Sequence, residues 1–122
     1  MLAGCTAQAP LLCAAPAQAM VAEHLYLGQA TPHGEVSTAT WQAFLDSEVT
    51  PRFPQGFSVW RVSGQWQSAT GTLVHEPTQV LNIVHDGLPE ARAAIAQIVQ
   101  AYKSRFQQEA VLRVQTLTCV SL

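Results

Sequence analysis

The stretch LVHEPTQVLNIVH, residues 73–85, decides how this chain folds. It starts as a β-strand and is interrupted at Glu76-Pro77, because proline has no N–H to give to a ladder. From Gln79 to His85 it resumes as a second, more apolar segment. There Val80, Leu81, Ile83 and Val84 place apolar groups on both sides of a strand. A sheet covered on one face alone should alternate apolar and polar residues, so this strand predicts cover on both of its faces.

The flanking sequence supplies the other elements. Phe57 to Gln67 is rich in Val, Trp and Phe and reads as a strand. Ser68-Ala69-Thr70-Gly71 forms the loop between it and the return strand. Trp60, Val62 and Trp66 share one parity, and Phe57 and Val59 the other, so apolar groups again lie on two faces. Upstream, Glu23 to Gly28 is a short strand and Thr31-Pro32-His33-Gly34 a turn. Ser37 or Thr38 caps a helix that runs to about Thr50, with Trp41, Phe44, Leu45 and Val49 on its apolar face. Pro51 stops it. Downstream, Pro89 suits the first position of a second helix, which runs to about Gln107. Its stripe is Ala91, Ala94, Ile95, Ile98, Val99, Tyr102 and Phe106. Ala110 to Val120 is the last strand. The order β-α-β-β-α-β predicts an α+β, ferredoxin-like sandwich, with two helices on one face of a four-stranded antiparallel sheet. Its other face then calls for a second copy packed sheet to sheet, as in a dimeric α+β barrel, or for an apolar small-molecule ligand. A homodimer through the open face is the expected partner.

At 122 residues the chain fits one domain with a real core. It is 48% hydrophobic and only 11% charged, with a net charge of −2. That balance offers no basic field for nucleic acid. Lys103, Arg105 and Arg113, close in sequence, read as a solvated helix end. No apolar run reaches the ~20 residues of a spanning helix. We divide the chain into 1–20, an export signal and Ala/Pro/Gln-rich tether, and 21–122, the single folded domain.

Leu2-Ala3-Gly4-Cys5 resembles the lipobox of bacterial lipoprotein precursors, where small residues precede a cysteine that receives lipid. No basic n-region or apolar h-region stands before it, so the alternatives are a lipobox cut from its leader and a chance match. A rival is Leu11 to Ala15 ending in Ala17-Gln18-Ala19, which resembles a short h-region with an A-x-A cleavage site. A third alternative is an unexported chain. Lipidation at Cys5 predicts a periplasmic-side envelope location, or secretion under the rival reading, with the membrane met only through the lipid. It leaves Cys13 and Cys119 as an even pair for a disulfide in an oxidising compartment. Two free thiols in a reducing cytosol are the alternative.

Residues 25–120 resemble a bacterial family known as domain of unknown function 3574. The resemblance is carried by LYLG (25–28), WQAFLDSEVTPRFPQGFSV (41–59), GQW (64–66), EPTQVL (76–81), AYKSRFQQEAVLRV (101–114) and the closing CVSL. It implies a small exported protein, often a lipoprotein, and no activity. Thr78-Gln79 stands where the family pattern leads us to expect Ser-Lys.

Candidate ligand-binding residues are Tyr26, Glu48, Arg52, Trp66, His75 and Glu76. By helical angle Glu48 lies inside the apolar face of the first helix, between Trp41 and Phe44. A buried carboxylate there needs a partner, and Arg52 is nearest: either an ion pair pinning the turn at 50–54 or a polar site. His75-Glu76 and His85-Asp86 have ligand chemistry but no metal-binding spacing, so no metal and no cofactor are assigned. Tyr26 and Trp66 either wall a pocket or belong to the core. There is no C-x-x-C, glycine-rich phosphate loop or G-x-S-x-G. The expectation is a non-enzymatic, lipid-anchored binding or accessory domain. The alternative is a small barrel-type enzyme acting on a hydrophobic molecule through Glu48, His75 or His85.

Overall fold

A computed structural model describes Gly4 and residues 12–122. Cys5, the expected lipidation site, lies outside the described residues. β1 (Gln18–Gly28), β4 (Ser58–Gln67), β5 (Leu73–His85) and β6 (Leu112–Val120) form one antiparallel sheet in the order β4-β5-β1-β6. α1 (Thr38–Phe44) and α2 (Pro89–Phe106) cover one side of it, and β2 (Ala30–Thr31) with β3 (Gly34–Glu35) makes a small hairpin. This is the α+β sandwich that the element order predicts.

β1 begins at Gln18, so the last three residues of the expected tether, 18–20, are part of the sheet, paired with β6 from Gln18↔Val120. A disulfide between Cys13 and Cys119 ties the segment before β1 to this edge, with Cα atoms 5.6 Å apart. β5 is continuous, contrary to the expected break at Glu76-Pro77. Pro77 is tolerated because its backbone groups face β1 where the ladder ends. The last β1–β5 pair is Gly28↔Thr78, and the Pro77 carbonyl accepts from Gln29 N at 2.9 Å just beyond it. The missing donor therefore costs no ladder bond.

Between the sheet and the helices lie Leu25, Leu27, Leu81 and Ile83 from the strands, Trp41, Phe44, Leu45 and Val49, and Ile95, Ile98, Tyr102 and Phe106. Phe44, Tyr102 and Phe106 stack edge-on and tilted, with centroids 4.7–5.8 Å apart. Ser37 caps α1 by accepting from Thr40 N. The first helix then widens into a π-helical turn over Leu45–Val49, closed by Thr50 N to the Leu45 carbonyl. That turn corrects the placement of Glu48. The wider turn breaks the 3.6-residue angle, so Glu48 leaves the apolar face. It sits half-buried at the surface, 3.0 Å from Arg52 and 3.4 Å from Arg105.

Candidate functional site

Register fixes which residues share the side of the sheet away from the helices. Tyr26 pairs with Val80 and Leu112, Trp60 with Val80, and His24 with Asn82 and Val114. Tyr26, Trp60, Val84, Leu112 and Val114 stand exposed on this open face. Glu76, the one carboxylate whose register points that way, is only 7% exposed.

Glu76 is buried because two glycines flank it. Its side chain crosses Gly28, where a Cβ would lie 2.5 Å from Oε1. On the other flank Gly64 pairs with Glu76, and a Cβ there would collide with the Thr78 hydroxyl. Glycine inside a strand marks such a close approach. Trp66 Nε1 donates to Oε1 at 2.6 Å and Ala30 N donates to Oε2 at 2.8 Å. A carboxylate has roughly four acceptor positions, so capacity remains for a further donor. The Glu76 side chain lines a pocket of ≈ 320 Å³ with Tyr26, Gly28, Trp66, Thr78, Gln108 and Leu112 among its walls.

Beneath Gly28 the sheet is braced from the helix side. Tyr102 on α2 donates to the Gly28 carbonyl and accepts from Gln29 Nε2 at 2.9 Å. Burial, and then the negative charge of Glu76, push the Tyr102 phenol above its ordinary value, so it stays a donor. Gln108 closes the corner by donating to the Ala30 carbonyl at 2.7 Å.

The structure thus brings three of the candidate residues, Tyr26, Trp66 and Glu76, into one pocket. The others lie elsewhere. Glu48 and Arg52 pair on the helix side, where Arg52 also donates to Gln97 at 3.0 Å. His75 is exposed on a more open groove of ≈ 680 Å³ along the β4–β5 edge. Arg52 and His85 border another groove, of ≈ 710 Å³, at the opposite end of β5. Neither is as enclosed as the Glu76 pocket. His85 is buried with both ring nitrogens engaged: Nδ1 accepts from Gly87 N at 3.0 Å, and Nε2 faces Glu23 Oε1 at 3.4 Å. Among the described residues no group of three His, Cys, Asp or Glu gathers to hold a metal.

Sequence reasoning missed Gly28, Gly64 and Tyr102 as parts of the site, and a second buried carboxylate altogether. Glu23 is fully buried on the helix side, where Oε1 accepts from Arg113 at 2.9 Å and Gln115 at 2.7 Å. Its partners stand some ninety positions away in the chain. The glycines did carry a signal: Gly64 in GQW lies inside a strand, and Gly28 in LYLG ends one.

Comparison with known proteins adds three results. A family model described as protein of unknown function (DUF3574) matches residues 22–122, and a search of curated proteins finds no match. Among solved structures, a phage SAM lyase in complex with S-methyl-5'-thioadenosine superposes with a TM-score of 0.65 at 13% identity. That match covers 84% of this chain and 90% of the lyase chain. A phage SAM lyase in the apo state gives 0.55 at 17% identity, covering 85% and 90%. At these identities the likeness is one of fold.

Proposed function

The chain belongs to the DUF3574 family of proteins of unknown function, and on that footing we propose that it is a small-molecule-binding domain whose site is the Glu76 pocket. The observation that carries this reading is the desolvated Glu76 carboxylate, held by Trp66 and Ala30 in a trough between two glycines and opening on an apolar face. Ligand sites are mostly apolar with a few placed polar groups, and ≈ 300 Å³ is at the small end of their range. Tyr26 and Trp66 offer aromatic surface, and Glu76 offers an acceptor. The ligand class is therefore a small molecule with a flat apolar part and a cationic or hydrogen-bond-donating group.

The fold likeness to a SAM lyase supplies probes of that class. S-adenosylmethionine carries a positive sulfonium, and S-methyl-5'-thioadenosine lacks it. Titration followed by the Trp66 indole N–H signal tests the reading. The expected result is a shift with both compounds, larger with the cation, and loss of that preference in Glu76→Gln. Failure of both to move Trp66 overturns it. A second reading, favoured by the same fold likeness, makes Glu76 a general base acting on the bound molecule. Glu76 would take a proton from a water that attacks the carbon beside the sulfonium, so the C–S bond breaks and S-methyl-5'-thioadenosine leaves with homoserine as the other product. Release of both by wild type, absent in Glu76→Gln, would select this reading over binding alone.

We place the domain at the cell envelope, tethered through Cys5. The lipobox-like LAGC and the Cys13–Cys119 disulfide support an exported, oxidising setting. Metabolic labelling of the full-length gene product with a fatty-acid analogue tests it. Label that disappears in Cys5→Ala supports the anchor, and unlabelled wild type removes it.

A further inference from the structure

The two sides of the sheet carry charge the wrong way round for a monomer. The helix-covered side holds Glu23, Arg61 and Arg113, whereas the uncovered side presents Trp60, Tyr26, Val84, Leu112 and Val114, with Glu76 and His24 its only titratable side chains besides Tyr26 and neither Lys nor Arg among them. Trp60 is 43% exposed and Leu112 60%. Depletion of charge with enrichment in Trp and Tyr is the composition of an interface core.

We propose that a second copy of this chain packs its open sheet face against the first and closes the Glu76 pocket between the two. Extent supports this occupant. Four strands about 4.8 Å apart and some nine residues long span roughly 19 by 30 Å, about 570 Å² in projection. Side-chain relief brings the accessible area towards the ~800 Å² per partner that stable interfaces bury. Charge supports it as well. Two copies of a face without Lys or Arg bring together only one recessed Glu76 carboxylate each, whereas an anionic lipid surface finds no Lys or Arg there to pair with. Tyr26 and Leu112 stand on the pocket rim, so a covering sheet removes the pocket's remaining contact with water. That second element rests on the pocket being a ligand site; the dimer does not.

The test is sedimentation velocity on the disulfide-intact chain at micromolar concentrations, for wild type, Val114→Glu and Trp60→Glu, with circular dichroism to show that each folds. Neither position lines the pocket. The expected result is a wild-type dimer and variants whose dissociation constant rises at least about 100-fold, because each brings a carboxylate into the apolar interface with only His24 of its own chain beside it. A wild type that stays monomeric overturns the proposal, as does a dimer that both variants leave intact. A monomer carrying a co-purified lipid or other apolar molecule in native mass spectrometry overturns it in favour of that occupant. For closure, S-adenosylmethionine is titrated into wild type and Val114→Glu, and the expected loss in the variant is about tenfold. Equal affinity overturns closure. Binding by neither form removes the ligand reading and closure together, while sedimentation decides the dimer alone.

Discussion

Replacing Gly28 with alanine tests the trough directly. The backbone at Gly28 is not in the left-handed region that favours glycine, so alanine brings no strain of its own. It gains about 0.4–1 kcal/mol from a stiffer unfolded chain. Its Cβ, however, would lie 2.5 Å from Glu76 Oε1 and 2.8 Å from Cδ. Restoring ordinary contact displaces the carboxylate by about 1 Å, and the bonds of 2.6 Å from Trp66 and 2.8 Å from Ala30 then stretch or break. Hydrogen bonds to charged groups contribute about 1.5–3 kcal/mol each. The displaced carboxylate recovers hydration at the pocket mouth, so we expect a net loss near 2–3 kcal/mol. For a domain of this size that lowers Tm by roughly 8–15 °C. A double-mutant cycle isolates the cause. In a Glu76→Ala background the offending oxygens are gone, and Gly28→Ala should be neutral or slightly stabilising in urea melts. An equal penalty in both backgrounds would refute the view that Gly28 exists to seat Glu76.

Three further outcomes are expected. Reducing the Cys13–Cys119 bridge, with a sequence separation of 106, should cost about 4–5 kcal/mol from loop-closure entropy, visible as a lower urea midpoint with dithiothreitol; an unchanged midpoint would contradict it. Removing Arg113 as Arg113→Met should destabilise by about 3–5 kcal/mol, more than Glu23→Gln, because it strands a buried carboxylate; chemical denaturation of both variants compares them. Tyr102 gives a pH dependence. The unfolded phenol ionises around its ordinary 10.0, while the folded one is raised and keeps its proton. That contribution is fully present below pH 10 and is lost as pH rises beyond it. Tyr102→Phe should flatten the alkaline fall in stability, followed by urea melts between about pH 8 and 11; a fall as steep as that of wild type would refute it.

What could be read in advance followed from local rules. The apolar stripes of both helices, the proline starting α2 and the two-sided character of β5 all come from spacing within one segment. Two local features still misled. Pro77 suggested a break, yet where β1 stops decides whether its missing donor matters, and that is a fact about a neighbouring strand. Glu48 obeyed the 3.6-residue angle on paper, and the π-helical turn rotated it outward to Arg52 and Arg105. The site itself was half visible. Tyr26, Trp66 and Glu76 stood out by residue type, but Gly28 and Gly64 acquire meaning only when register lays Glu76 between them. Glu23 drew no notice because Arg113 and Gln115 reach it across the strand order, from the far end of the chain.

The Cys13–Cys119 bond turns nearly the whole chain into a covalent loop. A protease that nicks one exposed turn inside that loop frees nothing: both pieces stay joined through sulfur and remain in the sheet. Degradation of this domain outside a reducing environment therefore takes two cuts, and a singly clipped molecule keeps its mass, plus one water, until a thiol opens it.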